Sequence, residues 1–176
     1  MRFSEAPLAG VFVIEIDRIE DERGSFARTY CADEFAARGL EACVVQCSVS
    51  FTRRRGTVRG LHWQAEPHAE AKVVRVTRGA VHDVVVDVRA GSPTLHQSFA
   101  VRLDAISARS LYIPKGFAHG FQTLEDDTEV GYQVSAAYAP GAACGLRYDD
   151  PALAIDWPAP VTVVSERDRE HPLLGA

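Results

Sequence analysis

Between residues 59 and 76 the chain reads RGLHWQAEPHAEAKVVRV, which sets Arg59, His62 and Lys72 in and beside apolar runs that should be building a core. Three readings fit those residue types. His62 could ligate a metal. It could remove a proton near neutral pH if a carboxylate fixed its tautomer and orientation. Or all three could form only the polar face of an edge strand. For proton transfer, Tyr132 could return a proton from elsewhere in the pocket, and Lys72 could stabilise developing negative charge. Each also has an ordinary structural role: a satisfied strand histidine, a core tyrosine whose hydroxyl finds a partner, a lysine whose stem covers apolar surface.

The other chemistries find less support. His62, His68, His82, His96, His119 and His171 make no HxH pair and no HExxH helix. In LHWQ, Gln64 stands where a metal-binding double-sheet barrel carries its second histidine, so a first-row metal would need an irregular ligand set. We expect no metal. No GxSxG elbow, GxGxxG or GxxxxGK[ST] occurs, and no cysteine adjoins a histidine. Cys31, Cys43, Cys47 and Cys144 form no CxxC pair and are expected to be reduced, small apolar residues.

Positioning these side chains falls to strands. Short β-branched runs separated by turn residues fill the chain: GVFVIEIDRI, FARTY, CVVQCSVSF, TVRGLHW, AKVVRVTRG, AVHDVVVDVR, HQSFAVRL, RSLYIPKG, AHGFQTLE and TEVGYQVSAAY. CADEFAARGL predicts one short helix, with Asp33 as N-cap and Gly39 as its stop. A second short helix fits the proline-rich tail. The expected fold is all-β, a cupin-like double-sheet jelly roll with a few short helices, one domain over residues 1–176, whose interior can be a ligand cavity.

Alternation sorts the side chains. Val84, Val86 and Val88 share one face, and Asp83, Val85 and Asp87 the other. Tyr132 lies with Val130 and Val134 on the inward face. Arg59 and His62 fall on opposite faces, so both enter one cavity only through a kink or bulge, for which Gly60 is the candidate.

Composition fits a soluble globular protein: 47% hydrophobic, 24% charged, net charge −5. The acidic balance argues against nonspecific nucleic-acid binding, although a local basic patch could hold a phosphate. No apolar run approaches the roughly 20 residues of a membrane helix, and MRFSEAPLAG lacks a secretory h-region. A cytoplasmic protein is expected.

The order of the segments DERGSFARTY, RGLHWQAEPHAEAKVVRVTRGAVHDVVVDVRAGSPT, YIPKGFAHGF, TEVGYQVSAAYAP, YDDPALAIDWP and SERDREHP resembles the dTDP-4-dehydrorhamnose 3,5-epimerase family over nearly the whole chain. The resemblance implies a jelly-roll homodimer that works without metal or cofactor on dTDP-4-keto-6-deoxyglucose. It implies His62 as base, Asp168 as the carboxylate that orients it, Tyr132 as the acid on the opposite face and Lys72 as stabiliser of the enolate. Asp83 and His119 match a second buried pair supporting the pocket. Arg59 would meet the diphosphate, a task suited to guanidinium. Arg23 and Phe26 match residues reaching across the dimer to the nucleotide, with Phe26 against thymine, and Tyr138 matches a second pocket tyrosine.

Three departures accompany the match. Val44 and Gln46 replace the usual Gln-x-Asn, leaving Gln46 as the remaining ligand contact. Arg28 stands where many relatives carry Glu. The FTRRRGTV loop is longer and more basic. Relatives that invert only C3 or only C5 share the same proton-transfer set, so regiochemistry stays open. So do two rivals, a metal-dependent cupin enzyme and a non-catalytic sugar-nucleotide binding protein.

Overall fold

The computed structural model describes residues 1–175. Along the chain run β1 (Arg2–Glu5), β2 (Phe12–Glu15), β3 (Arg18–Asp21), β4 (Gly24–Ala27), α1 (Ala32–Ala36), β5 (Gln46–Thr52), β6 (Val58–Gln64), β7 (Lys72–Arg78), β8 (Ala80–Asp87), β9 (Ser98–Asp104), β10 (Ser110–Ile113), β11 (Phe117–Thr123), β12 (Thr128–Val134), β13 (Ala143–Gly145) and α2 (Glu166–Glu170). One antiparallel sheet has the order β1-β2-β10-β7-β12-β5, and a second has β13-β6-β11-β8-β9. The two face each other as a double-sheet jelly roll. A separate hairpin pairs β3 with β4.

Three apolar layers hold the sheets. Between them Val74, Val76, Val85, Leu111, Phe121 and Val130 are buried. Outside the second sheet, Leu61, Val84, Val86 and Ala118 pack under Leu146 and Leu153 from the C-terminal segment. Outside the first, Ile14, Val73 and Tyr112 pack against Phe35 of α1. Covered on both faces, β8 carries the valine run Val84–Val86, and all of its residues but His82 are buried.

Three local expectations are corrected. GVFVIEIDRI is not one strand. β2 loses its neighbour at the chain's first residues, since Arg2 pairs with Glu15 and the Met1 ammonium turns to Asp17 at 3.0 Å. The backbone leaves the sheet there and restarts as β3. The N-cap of α1 is Cys31, not Asp33, and gives no side-chain cap; Asp33 lies in the first turn. α1 ends at Ala36 with Ala37 as its C-cap, ahead of the expected stop; Gly39, at φ +69°, lies in the turn that follows, where Leu40 N–H closes on the Phe35 carbonyl at 3.1 Å.

Candidate active site

The site begins with a bulge in β6. His62 pairs with His119 of β11 and Arg59 with Phe121, so three steps on β6 oppose two on β11. Gly60 absorbs the extra residue at φ +107°, and a Cβ there would meet the His119 carbonyl at 2.6 Å and the Gly120 Cα at 2.7 Å. Only glycine fits that close approach. The bulge turns Arg59 and His62 to the same inward face.

His62 Nε2 lies 2.7 Å from Asp168 Oδ1. Asp168 rides on α2, whose N-cap Ser165 accepts the Asp168 N–H at 3.1 Å, and its Oδ2 accepts the Gly60 N–H at 3.2 Å. The bulge and the carboxylate thus hold each other in place. Burial pushes the Asp168 pKa up, but the hydrogen bond and charge of His62, with the Gly60 and Ser165 contacts, outweigh it and hold the carboxyl below its ordinary value. An ionised carboxylate only accepts, so Nε2 carries the proton and Nδ1 keeps the lone pair of a base.

The facing sheet supplies the counterparts. Tyr132 on β12 pairs with Val74 of β7, and Val134 with Lys72, so Tyr132 and Lys72 share the inward face. The Tyr132 ring sits 6.1 Å from that of His119, edge to face. His119 Nε2 in turn lies 3.0 Å from both Asp83 oxygens, in a pair almost wholly withdrawn from water. Burial, and then the charge of Asp83, push the Tyr132 pKa well above the ordinary phenol value, while Arg59 pulls the other way. Tyr132 therefore stays protonated, a donor rather than a base. The Lys72 ammonium lies 3.0 Å from Glu70 Oε1 and donates to the His62 carbonyl at 3.3 Å. A base on one sheet and an acid on the other flank the space between, with an ammonium beside them.

The family model described as dTDP-4-dehydrorhamnose 3,5-epimerase matches residues 5–176. The chain belongs to that family. A curated dTDP-4-dehydrorhamnose 3,5-epimerase from Sinorhizobium fredii is 42% identical over 99% of this chain and 90% of its own length. A dTDP-4-dehydrorhamnose 3-epimerase from Streptomyces niveus is 40% identical over 99% of this chain and 84% of its own. Among solved structures, the dTDP-4-dehydrorhamnose 3,5-epimerase of Bacillus anthracis with TDP and PPi bound superposes with a TM-score of 0.94 at 38% identity, covering 98% of each chain.

For a member of the epimerase family, the nucleotide-side candidates are dispersed. Arg59 is fixed by Nε to Thr52 Oγ1 at 3.0 Å and by Nη2 to the Phe51 carbonyl at 3.3 Å. It lines an open cleft of about 490 Å³ with Arg53 and Arg54. Gln46 Oε1 accepts the Tyr138 N–H at 2.9 Å. Tyr138 shares a cleft of about 180 Å³ with His62 and Lys72. Arg23 and Phe26 are not brought to this site within the chain. They sit at the β3–β4 hairpin, Arg23 in an ion pair with Asp21 and Phe26 73% exposed.

Two neighbours of the site were not singled out from sequence. Glu70 was readable only as a charged residue two positions before Lys72, on the connection that leads into β7. His171 was not, because the tail that brings it there has no periodicity. Its Nε2 is buried without a partner, its ring is 6.0 Å from His62, and burial and then the charge of His62 lower its pKa. With His62 and Asp168 it offers three metal-ligating atoms within 4.8 Å of one another, two of them already bonded to each other. Among the described residues no helix is long and apolar enough to cross a membrane.

Proposed function

We propose that this chain epimerises dTDP-4-keto-6-deoxyglucose at C3, C5 or both, by side-chain proton transfer alone. The single observation that carries the reading is the opposition of a His62 held by Asp168 on one sheet to a protonated Tyr132 on the other. The C4 ketone acidifies the hydrogens on its neighbours. His62 takes one as a proton, and the C–H electron pair moves into an enolate whose O4 charge meets the Lys72 ammonium. Tyr132 gives its proton to the same carbon from the far face, which inverts it. Return of the proton from the imidazolium to the phenolate through solvent resets the site. His119 and Asp83 hold the Tyr132 ring from behind.

Arg59 takes the diphosphate, with Gln46 and Tyr138 at the sugar–diphosphate end. The chain acts as one folded unit in a cytoplasmic homodimer, and Arg23 and Phe26 of each protomer close over the partner's nucleotide. The exposed apolar side chains of the hairpin, Ile19 and Phe26, support that closure.

The test is NMR of dTDP-4-keto-6-deoxyglucose with the protein in D₂O. Deuterium at both C3 and C5, with the L-lyxo product, is the outcome for a 3,5-epimerase. Deuterium at C3 alone gives the activity named for the Streptomyces niveus relative, which is nearly as similar to this chain as the first. A folded protein that exchanges neither position ends the reading.

A further inference from the structure

Lys72 and Glu70 leave a free donor and a free acceptor side by side. An ammonium has three N–H donors. On Lys72 one meets Glu70 Oε1 at 3.0 Å and another the His62 carbonyl at 3.3 Å, which leaves one for a ligand. The Glu70 side chain is 7% exposed, and its second oxygen, Oε2, is buried with no hydrogen-bond partner. A buried carboxylate oxygen with nothing to accept carries an unrecovered desolvation penalty, which a ligand can remove. The pair lines the cleft shared with His62 and Tyr138. The last torsion of a glutamate is soft, so a small turn of the carboxyl directs the free lone pairs into the cleft while Oε1 stays on the ammonium.

A donor beside an acceptor matches a carbonyl beside a hydroxyl. The 4-keto sugar presents that pair on one side only: C3 bears a hydroxyl, and C5 bears the methyl group. We propose that Glu70 is a specificity-determining and positioning residue. One of its oxygens fixes Lys72 on the keto oxygen, and the other accepts the hydrogen bond of the C3 hydroxyl. This rests on the 4-keto-sugar reading above. A ring bound the other way round would leave Glu70 unpaired, so the contact also selects which ring carbon lies at His62.

The experiment compares dTDP-4-keto-6-deoxyglucose with its 3-deoxy analogue. It follows kcat/KM for deuterium exchange at the carbons flanking the ketone, in the native enzyme and in Glu70→Gln. A hydrogen bond to a charged acceptor predicts that the native enzyme disfavours the analogue by about 10–100-fold. In Glu70→Gln that preference should fall to within about threefold, with affinity for dTDP alone unchanged, because pair and hydroxyl are coupled. A native enzyme that treats both sugars alike overturns the proposal, and so does a Glu70→Gln enzyme that discriminates as the native one does. Should Glu70→Gln not fold, Glu70→Asp keeps the charge but withdraws the acceptor, and undiminished discrimination there overturns it equally. Absence of exchange with either sugar in the native enzyme ends the epimerase reading instead, so the two failures are told apart.

Discussion

Opposite protonation demands meet in His62 and Tyr132, and burial treats them differently. Tyr132 must hold its proton until an enolate carbon is there to take it, and burial beside Asp83 does that. His62 must gain and lose one, which requires a neighbouring charge that persists. Asp168 is that charge because its hydrogen bonds outweigh its burial. Asp168→Asn keeps an oxygen for the Gly60 N–H but removes the charge that stabilises imidazolium. We expect kcat to fall by about 10²–10⁴ with dTDP affinity retained, measured by exchange kinetics and titration. The same group sets a sign for stability. A carboxylate whose folded pKa is depressed stabilises the fold above its unfolded pKa of about 3.9, and that contribution is lost as pH falls through the folded value. The Tm gap between native protein and Asp168→Asn should therefore close on acidification; a gap that widens in acid would contradict the assignment. Residue types alone offered the roles of His62, Lys72 and Tyr132 beside ordinary structural ones, and only the resemblance chose between them.

Elements decide whether those residues meet. The bulge at Gly60 was legible, because strict alternation would have parted Arg59 from His62 and only a glycine between them could undo it. Gly60→Ala adds a Cβ against backbone on two sides, the His119 carbonyl and the Gly120 Cα, at a φ that L residues avoid. Strain and overpacking together should cost roughly 2–5 kcal/mol. Whatever protein folds should have lost its activity, because the Asp168 anchor on the Gly60 N–H shifts with it. Gly39→Ala is the control: it has positive φ but nothing within 4 Å, and should cost only about 1 kcal/mol. Equal Tm losses in the two variants would show that backbone preference, not close approach, fixes Gly60. The double burial of β8 could also be read from its valines. The break at Asp17 could not, because it depends on where a neighbouring strand runs out and on the Met1 ammonium, neither of which leaves a local pattern.

At the scale of the whole molecule, two stretches of the described residues leave large apolar side chains exposed. β5 is the edge strand of the first sheet, and its outward Val49 and Phe51 are 65% and 46% exposed. The free hairpin adds Ile19 and Phe26 at 70% and 73%. Apolar exposure of this extent, on an edge strand and on a free hairpin, fits the homodimer proposed above. If each hairpin serves the partner's nucleotide site, a defect in Phe26 and a defect in His62 fall in different sites of a hybrid dimer. One hybrid site receives both defects, and the other receives neither. Mixing His62→Ala protomers with Phe26→Ala protomers, each nearly inactive alone, should then restore about a quarter of native activity. That figure holds because half the random dimers are hybrids and each hybrid keeps one of its two sites. Recovery should disappear when Val49→Glu and Phe51→Glu are added to both chains and light scattering reports monomers. Failure to complement while the proteins remain dimeric would mean that Arg23 and Phe26 do not serve the partner's site, and that the nucleotide is held by Arg59, Gln46 and Tyr138 of one chain.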